Sequence, residues 1–239
     1  MSPRNTPSSL RNRLLTALPK DDLAWLRPHL QPLPLEKNKT LESANKKIDN
    51  IYFPERGFAS VVGSSGNKGR EVEVGIIGFE GVTGLSVIFG SDRSPLKTFI
   101  QGEGDGHRLG ADILQKAMTR SATLHALLLK YAQAFMLQTT HTAIANARGT
   151  LQERLSRWIL MAQDRTQSDN IPLTHDFLSL MLAVRRPGVT EALHEVGQKG
   201  LIKHERGAIS VIDREGLIEC ANGFYGKPEI EYERLLGKR

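Results

Sequence analysis

Two adjacent arginines, Arg185 and Arg186, precede a Pro-Gly pair and are followed by Thr190 and Glu191. A guanidinium presents a planar fork of donors that fits paired acceptors, such as those of a guanine edge or a phosphate. A carboxylate accepts hydrogen bonds, for instance from the amino group of cytosine. Side chains of these types, close together at one end of a helix, are suited to hydrogen-bond the base edges and phosphates of a nucleic acid.

The elements that must position these side chains lie between residues 173 and 213. Thr174 is suited to cap a first helix, because its hydroxyl can accept from the free amides of the opening turn. A second helix is predicted over 186–198, since proline is well tolerated at the first helical position. Short strands are predicted at 201–204 and 208–212, joined by a turn. This order of elements predicts a winged helix-turn-helix.

Both helices have an apolar side. In the first, spacings of three and four select Phe177, Leu180, Met181 and Val184. In the second, the same spacing selects Val189, Ala192, Leu193 and Val196 as inward, and leaves Pro187, Thr190, Glu191, His194 and Gln198 outward. A short helical pair is often plain structural packing. The paired arginines and the hairpin favour nucleic-acid binding, because an α-helix fits the major groove and its N-terminal residues reach base edges.

The composition is that of an ordinary globular chain. Its 239 residues are 39% hydrophobic and 24% charged. No apolar run approaches the ~18 residues of a membrane span, and the first residues lack the apolar core of a secretory signal. We therefore expect a cytoplasmic protein with no membrane partner. A single cysteine, Cys220, excludes an internal disulfide framework and a four-cysteine metal or iron–sulfur site.

The net charge of +6 is unevenly distributed. Residues 150–239 hold 13 Lys+Arg and 13 Asp+Glu, whereas residues 1–149 hold 19 and 13. The predicted helix-turn-helix half is therefore neutral, and we expect few phosphate contacts per subunit.

Between residues 33 and 109 the pattern changes to short strands. Glycine- and proline-rich turns are predicted at 54–57, 63–69 and 102–106, and strands at this spacing indicate an antiparallel barrel or sandwich. The glycine-rich stretch from Gly75 to Pro95 has two interpretations: backbone folded closely around a ligand, or the corners of a small barrel.

A long helix is predicted from about residue 121 to 146. Its stripe at spacings of three and four comprises Leu124, Leu127, Leu128, Tyr131, Phe135, Gln138, Thr142 and Ala145. This stripe indicates either packing against a second copy in a dimer or a core helix within one subunit. The next segment, 151–164, is predicted to be an amphipathic helix with Leu155, Trp158, Ile159, Met161 and Ala162 inward.

The predicted chain resembles the Crp/Fnr superfamily of bacterial regulators, in which an N-terminal barrel, a long helix and a C-terminal winged helix-turn-helix follow one another in that order. The resemblance covers roughly residues 10–225 and is most specific at LTHDFLSLMLAVRRPGVTEALHEVGQKGLI and LQERLSRWILMAQDR. It implies an α+β chain with a jelly-roll, cyclic-nucleotide-binding-like sensor domain at 10–120, a dimerisation helix at 121–148 and a DNA-binding domain at 149–239. It further implies a homodimeric transcription factor that binds double-stranded DNA and works with RNA polymerase, and not an enzyme.

By position, the resemblance assigns Arg185, Arg186, Gly188, Thr190 and Glu191 to the start of the recognition helix. We expect Arg186 and Glu191 to read bases. The expected phosphate contacts are Thr174, Arg185, Lys203 and Arg206.

The sensor half departs from the cyclic-nucleotide pattern. Gly84 is followed by Leu85 rather than by a glutamate, and Arg93-Ser94 is followed by proline. These departures argue against cyclic-nucleotide binding, and the missing cysteine cluster argues against an iron–sulfur cofactor. Gly84, Arg93 and Ser94 remain the candidate contacts of an unknown small-molecule effector.

Two other functions remain open. The winged helix is also compatible with a protein-docking module in an effector-sensing adaptor. An enzyme built on the barrel is the third hypothesis, but residues 33–109 hold no paired carboxylates with a histidine. We interpret Glu71, Glu73 and Glu80 as solvated charges near strand ends.

Overall fold

A computed structural model of the chain describes residues 10–64, 71–205 and 207–237. Helices α1 (Arg13–Thr16) and α2 (Lys20–Leu26) open this part, with a turn of 3-10 helix at Arg27–His29. The N-terminal part then forms mainly strands: β1 (Gln31–Leu35), β2 (Thr40–Glu42), β3 (Asn50–Ser64), β4 (Glu71–Ile77), the short helix α3 (Leu85–Ile88) and β5 (Lys97–Gly110).

The second half is mainly helical. It begins with α4 (Ala111–Arg120), α5 (Ala122–Arg148) and α6 (Leu151–Thr166). The remaining elements are short: β6 (Asn170–Ile171), α7 (His175–Leu182), α8 (Arg186–Gln198), β7 (Ile202–Glu205), β8 (Ala208–Val211), α9 (Arg214–Cys220) and α10 (Lys227–Leu236). An antiparallel sheet, a long helix and a winged helix-turn-helix thus follow one another as predicted.

The N-terminal strands form one antiparallel sheet in the order β1-β5-β3-β4, with β2 also paired to β5. The predicted turns at 54–57 and 102–106 are wrong, because β3 and β5 run through them with shifts in register. Gly57 has a φ of 75°, and a Cβ at Gly104 would collide with the backbone of Arg56. Glycine here lets two long strands bulge and stay paired. The predicted turn at 63–69 lies mostly outside the described residues.

Helix α6 lies at the centre of the molecule. Thr150 and Glu153 form a capping box at its start. The predicted inward residues are all buried: Leu155, Trp158, Ile159, Met161 and Ala162. Polar residues of α6 are buried too, because the helix packs against β3, α8 and α9 on different sides. Arg165 pairs with Glu80 at 2.8 Å, and Asp164 pairs with Arg214 at 2.8 Å.

Helix α5 has two different faces. The stripe predicted to meet a second copy packs within the chain, since Leu124, Leu128, Tyr131, Phe135, Gln138 and Ala145 are buried. The core-helix interpretation is therefore correct for that face. The opposite face exposes Leu129 and Met136, which are 42% and 58% accessible.

The C-terminal helix α10 packs against α5 and reaches the N-terminal part. The Tyr232 hydroxyl donates to the carbonyl of Glu80 at 2.5 Å, and Arg13 Nη2 donates to the carbonyl of Gly237 at 2.6 Å. Throughout the described part of the chain, no helix is long and apolar enough to cross a membrane.

Two of the three glutamates interpreted as solvated are buried. Glu73 is 4% exposed and Glu80 is 8% exposed, so that interpretation is wrong for both. Both are covered by α6, which brings Trp158 to Glu73 and Arg165 to Glu80. Glu71 remains half-exposed and pairs with Lys97 at 3.1 Å.

Candidate nucleic-acid interface

The helical pair begins and ends as its sequence dictates. The Thr174 hydroxyl accepts from the amide of Phe177 at 3.3 Å, which is the predicted N-cap. Helix α7 ends at Ala183, whose φ of 53° turns the chain toward α8. Helix α8 then starts at Arg186 with Pro187 in its first turn, and it has the predicted bounds.

The buried side of α8 is the predicted one, with Val189, Ala192, Leu193 and Val196 all buried. The predicted face of α7 is only partly right. Met181 is buried, but Leu178 and Leu182 are buried in place of Leu180 and Val184. The difference arises because α7 packs against β4 as well as against α8.

The outward side of α8 is exposed along its length, at Arg186, Pro187, Thr190, Glu191, His194 and Gln198. Arg185 precedes this row and is also exposed. Gly188 departs from the row: it is half-buried, and a Cβ there would lie 3.5 Å from Leu151. The structure therefore gathers donors and acceptors on one helical face, with Gly188 directed toward α6.

Two side chains of α7 contact this face. Arg186 Nη1 lies 3.4 Å from Asp176 Oδ1, with both side chains largely exposed. Thr190 Oγ1 lies 3.2 Å from His175 Nδ1. Sequence analysis missed His175 and Asp176 as neighbours of the predicted base-reading residues. No spacing pattern indicates them, because the contacts join two helices that only the turn at Ala183 brings together.

The wing is the hairpin β7–β8, whose outer strand carries the predicted Lys203. Lys203 Nζ lies 2.8 Å from the Glu205 carboxylate. Hydrogen bonding to that carboxylate raises the pKa of Lys203. The predicted Arg206 lies outside the described residues.

A cleft of about 680 Å³ separates the wing from the helical pair. Its walls come from α7, α8 and the wing: Thr174, His175, Asp176, Arg186, His204, Glu205 and Gly207. The rings of His175 and His204 are tilted by 49° to each other, with centroids 6.4 Å apart. Two of the predicted contacts, Thr174 and Arg186, thus lie on one open groove, whereas the predicted wing contact Lys203 is not part of its lining.

The predicted effector contacts Gly84, Arg93 and Ser94 have separate hydrogen-bond and ion-pair partners. The amide of Gly84 donates to Glu42 Oε1 at 2.7 Å, inside the sheet. Burial raises the pKa of Glu42, and this hydrogen bond offsets part of the rise. Arg93 is an exposed neighbour of Asp92, and the buried Ser94 accepts from the amide of Leu96 at 3.1 Å.

The glycines between Gly75 and Gly84 allow close packing on α5. A Cβ at Gly81 would collide with the Tyr131 side chain, and one at Gly75 would lie 2.8 Å from Gln138 Oε1. A cavity enclosed by Glu80, Arg165 and side chains of α5 and α10 is only about 30 Å³. Its size favours packing over a ligand there. Among the residues in 10–64, 71–205 and 207–237, no group of three or more His, Cys, Asp or Glu side chains could hold a metal ion.

Comparison with known proteins agrees with this geometry. Residues 153–220, from α6 through α9, match the family model described as the Crp-like helix-turn-helix domain. No protein of curated function matches the chain in sequence.

Solved structures of similar fold cover most of the chain. A putative transcriptional regulator of the Crp/Fnr family from Eubacterium rectale has a TM-score of 0.68 at 17% identity, over 88% of this chain and 98% of that one. FixK2 from Bradyrhizobium japonicum has a TM-score of 0.69 at 14% identity, over 80% and 96%. TTHB099 from Thermus thermophilus, a Crp-family regulator, has a TM-score of 0.64 at 16% identity, over 80% and 97%. The predicted resemblance to Crp/Fnr regulators is confirmed in the fold, and in the family model over residues 153–220.

Proposed function

We propose that the chain is a homodimeric, sequence-specific DNA-binding transcriptional regulator that places α8 in the major groove of a two-fold symmetric operator. The observation that carries the proposal is the exposed row of donors and acceptors on α8, within a domain that matches the Crp-like helix-turn-helix model. Such a regulator acts on the chromosome and therefore in the cytoplasm.

Base reading and phosphate binding are divided between different residues. Arg186 and Glu191 stand on the exposed face near the start of α8, where side chains reach base edges. Thr174, Arg185, Lys203 and Arg206 hold the phosphates and set the register of the helix. The open groove between α7 and the wing carries Thr174 and Arg186, and the carboxylates of Asp176 and Glu205 also line it.

Dimerisation uses the exposed face of α5. Exposed residues on this face alternate at spacings of three and four, as a coiled-coil seam requires: Ala126, Leu129, Gln133, Met136, Thr140, Ala143 and Ala147. Most are small or apolar, so two such helices can approach closely. A pair related by a two-fold axis presents two copies of α8 to half-sites about one helical turn apart.

The proposed domains are a sensor at 10–120, the dimerisation helix at 121–148 and a DNA-binding domain at 149–239. The sensor does not bind a cyclic nucleotide in this proposal, because Leu85 stands where the cyclic-nucleotide pattern has a glutamate and Pro95 follows Arg93-Ser94. The chain is a regulator and not an enzyme; its partners are DNA, a second copy and RNA polymerase.

The test measures DNA affinity by fluorescence anisotropy on a selected operator and on scrambled DNA. Arg186→Ala should lose ~1–3 kcal/mol on the operator and relax the preference at one base pair. Lys203→Ala should weaken binding to both DNAs alike and lower the salt slope by about one. Arg234→Ala is the matched control, because it removes an arginine whose charge pairs with Glu231 on α10.

If Arg186→Ala and Lys203→Ala both bind the operator and the scrambled DNA as tightly as the wild type does, the assignment is contradicted. The absence of any salt-dependent DNA affinity would instead favour an adaptor whose winged helix docks a protein.

A further inference from the structure

The interface between the sheet and the helix-turn-helix part is apolar with a polar centre. Phe58 and Phe99 of the sheet pack against the helices, where their rings meet Trp158 and Phe177 at centroid distances of 6.4 Å and 6.2 Å. Three polar side chains are buried on the same face of the sheet: Ser60, Glu73 and Gln101. Buried polar groups cost free energy unless they are hydrogen-bonded, so the hydrogen-bond partners of these three side chains affect the stability of the interface.

Glu73 is bonded to α6 through only one of its oxygens. Its Oε1 accepts from the Trp158 indole N–H at 2.6 Å. Its Oε2 accepts no hydrogen bond within the described part of the chain. Ser60 lies beside the carboxyl, but its hydroxyl donates to Gln101. When Glu73 is protonated, its O–H can donate to the Ser60 oxygen. When Glu73 is ionised, one of its buried carboxylate oxygens has no donor.

The charges around Glu73 compensate an ionised carboxylate poorly. They are Arg157 and Arg165, both on α6, while β3 and β5 contribute the uncharged Ser60 and Gln101. Arg157 donates to the carbonyls of Phe224 and Gln138, at 3.1 Å and 3.3 Å. Arg165 pairs with Glu80 at 2.8 Å. Burial raises the pKa of Glu73 to about 7, and the nearby Ser60 hydroxyl, the Trp158 indole N–H and the two arginines only partly oppose the rise.

We propose that Glu73 is a proton-operated latch between the sheet and the DNA-binding domain: the neutral carboxyl holds α6 and α7 docked on the sheet, and the carboxylate releases them. The Glu73–Trp158 bond joins the two parts at the centre of the interface. The inference does not depend on DNA binding, because it concerns only the contact between two parts of one chain.

The direction of the pH effect follows from the raised pKa. Protonation of Glu73 stabilises the docked state. This stabilisation is complete below the ordinary carboxyl pKa of about 4.5 and is lost as the pH rises through about 7. Between pH 6 and pH 8 the docking equilibrium constant should fall about tenfold. A carboxylate exposed to water in both states would leave the constant unchanged.

The experiment measures hydrogen exchange of the full chain at pH 6 and pH 8, corrected for intrinsic rates. Protection of the β4, α6 and α7 amides should fall about tenfold in the wild type. Glu73→Gln keeps the acceptor for Trp158 and supplies a permanent donor, so its protection should be equal at the two pH values. Glu71→Gln is the matched control, because it neutralises a glutamate on the same strand that pairs with Lys97 outside the interface.

Acrylamide quenching gives a second readout that needs no change at Glu73. In a Trp25→Phe background, Trp158 is the sole tryptophan. Its quenching should rise with a midpoint near pH 7. Wild-type protection and quenching that are flat from pH 6 to pH 8 would overturn the proposal. A Glu73→Gln variant that still loses protection as the wild type does would also overturn it.

Discussion

Substitution of Met136 by alanine tests whether α5 joins two copies of the chain. Met136 lies in the middle of the exposed seam and is 58% accessible, although it is a large apolar side chain. Among the residues that the structure describes, none covers that fraction, and the proposed dimer would bury it against a second copy.

The expected magnitude follows from the exposed fraction. Complete burial of a methionine side chain contributes ~1.5–3 kcal/mol, so burial of the exposed part contributes about 1–1.7 kcal/mol. A two-fold interface loses this amount twice, which gives about 2–3.4 kcal/mol per dimer. The dimer dissociation constant should therefore rise roughly 30- to 300-fold.

Sedimentation velocity over a dilution series measures this constant. Ile212→Ala is the matched control, because Ile212 is 64% exposed but lies after the wing and away from α5. A wild-type chain that stays monomeric at high concentration would refute the reasoning. A Met136→Ala dimer as tight as the wild-type dimer would refute the assignment of the seam.

Two further predictions concern the helix-turn-helix part of the chain. Thr174→Ala removes the cap of α7 and should lower the free energy of unfolding by ~1 kcal/mol, measured by urea titration; an unchanged midpoint would contradict the cap. Asp164→Asn removes the carboxylate that accepts from Arg214 Nη2 at 2.8 Å and from the Tyr225 hydroxyl at 2.6 Å. Because Arg214 is 35% exposed, the free energy of unfolding, measured by the same urea titration, should fall by about 2 kcal/mol. A fall below about 0.5 kcal/mol would show that solvent replaces the ion pair.

The helix-turn-helix could be predicted closely because its signals are local. The Thr174 cap, Pro187 in the first turn and the apolar spacing of α8 act within a few residues of one another. Those signals fix the bounds of α8 whatever it packs against. They also identify the exposed face, because the inward residues of a helix determine the outward ones.

The rest depends on contacts between distant segments. Gly57 and Gly104 indicate turns when each is considered alone, but they lie opposite each other in paired strands, where they permit bulges. Glu73 looks like a solvated charge until α6 covers it with Trp158. In α5 the apolar stripe is real, but packing of α10 and the sheet assigns it to the core and leaves the opposite face exposed.

The most direct test of the central claim is selection of bound sequences from random double-stranded DNA by the full chain. The account predicts enrichment of inverted repeats with half-site centres about 10 base pairs apart, and loss of one conserved base pair per half-site with Arg186→Ala. Absence of any enriched sequence, or enrichment of a single asymmetric half-site that Arg186→Ala leaves unchanged, would contradict it.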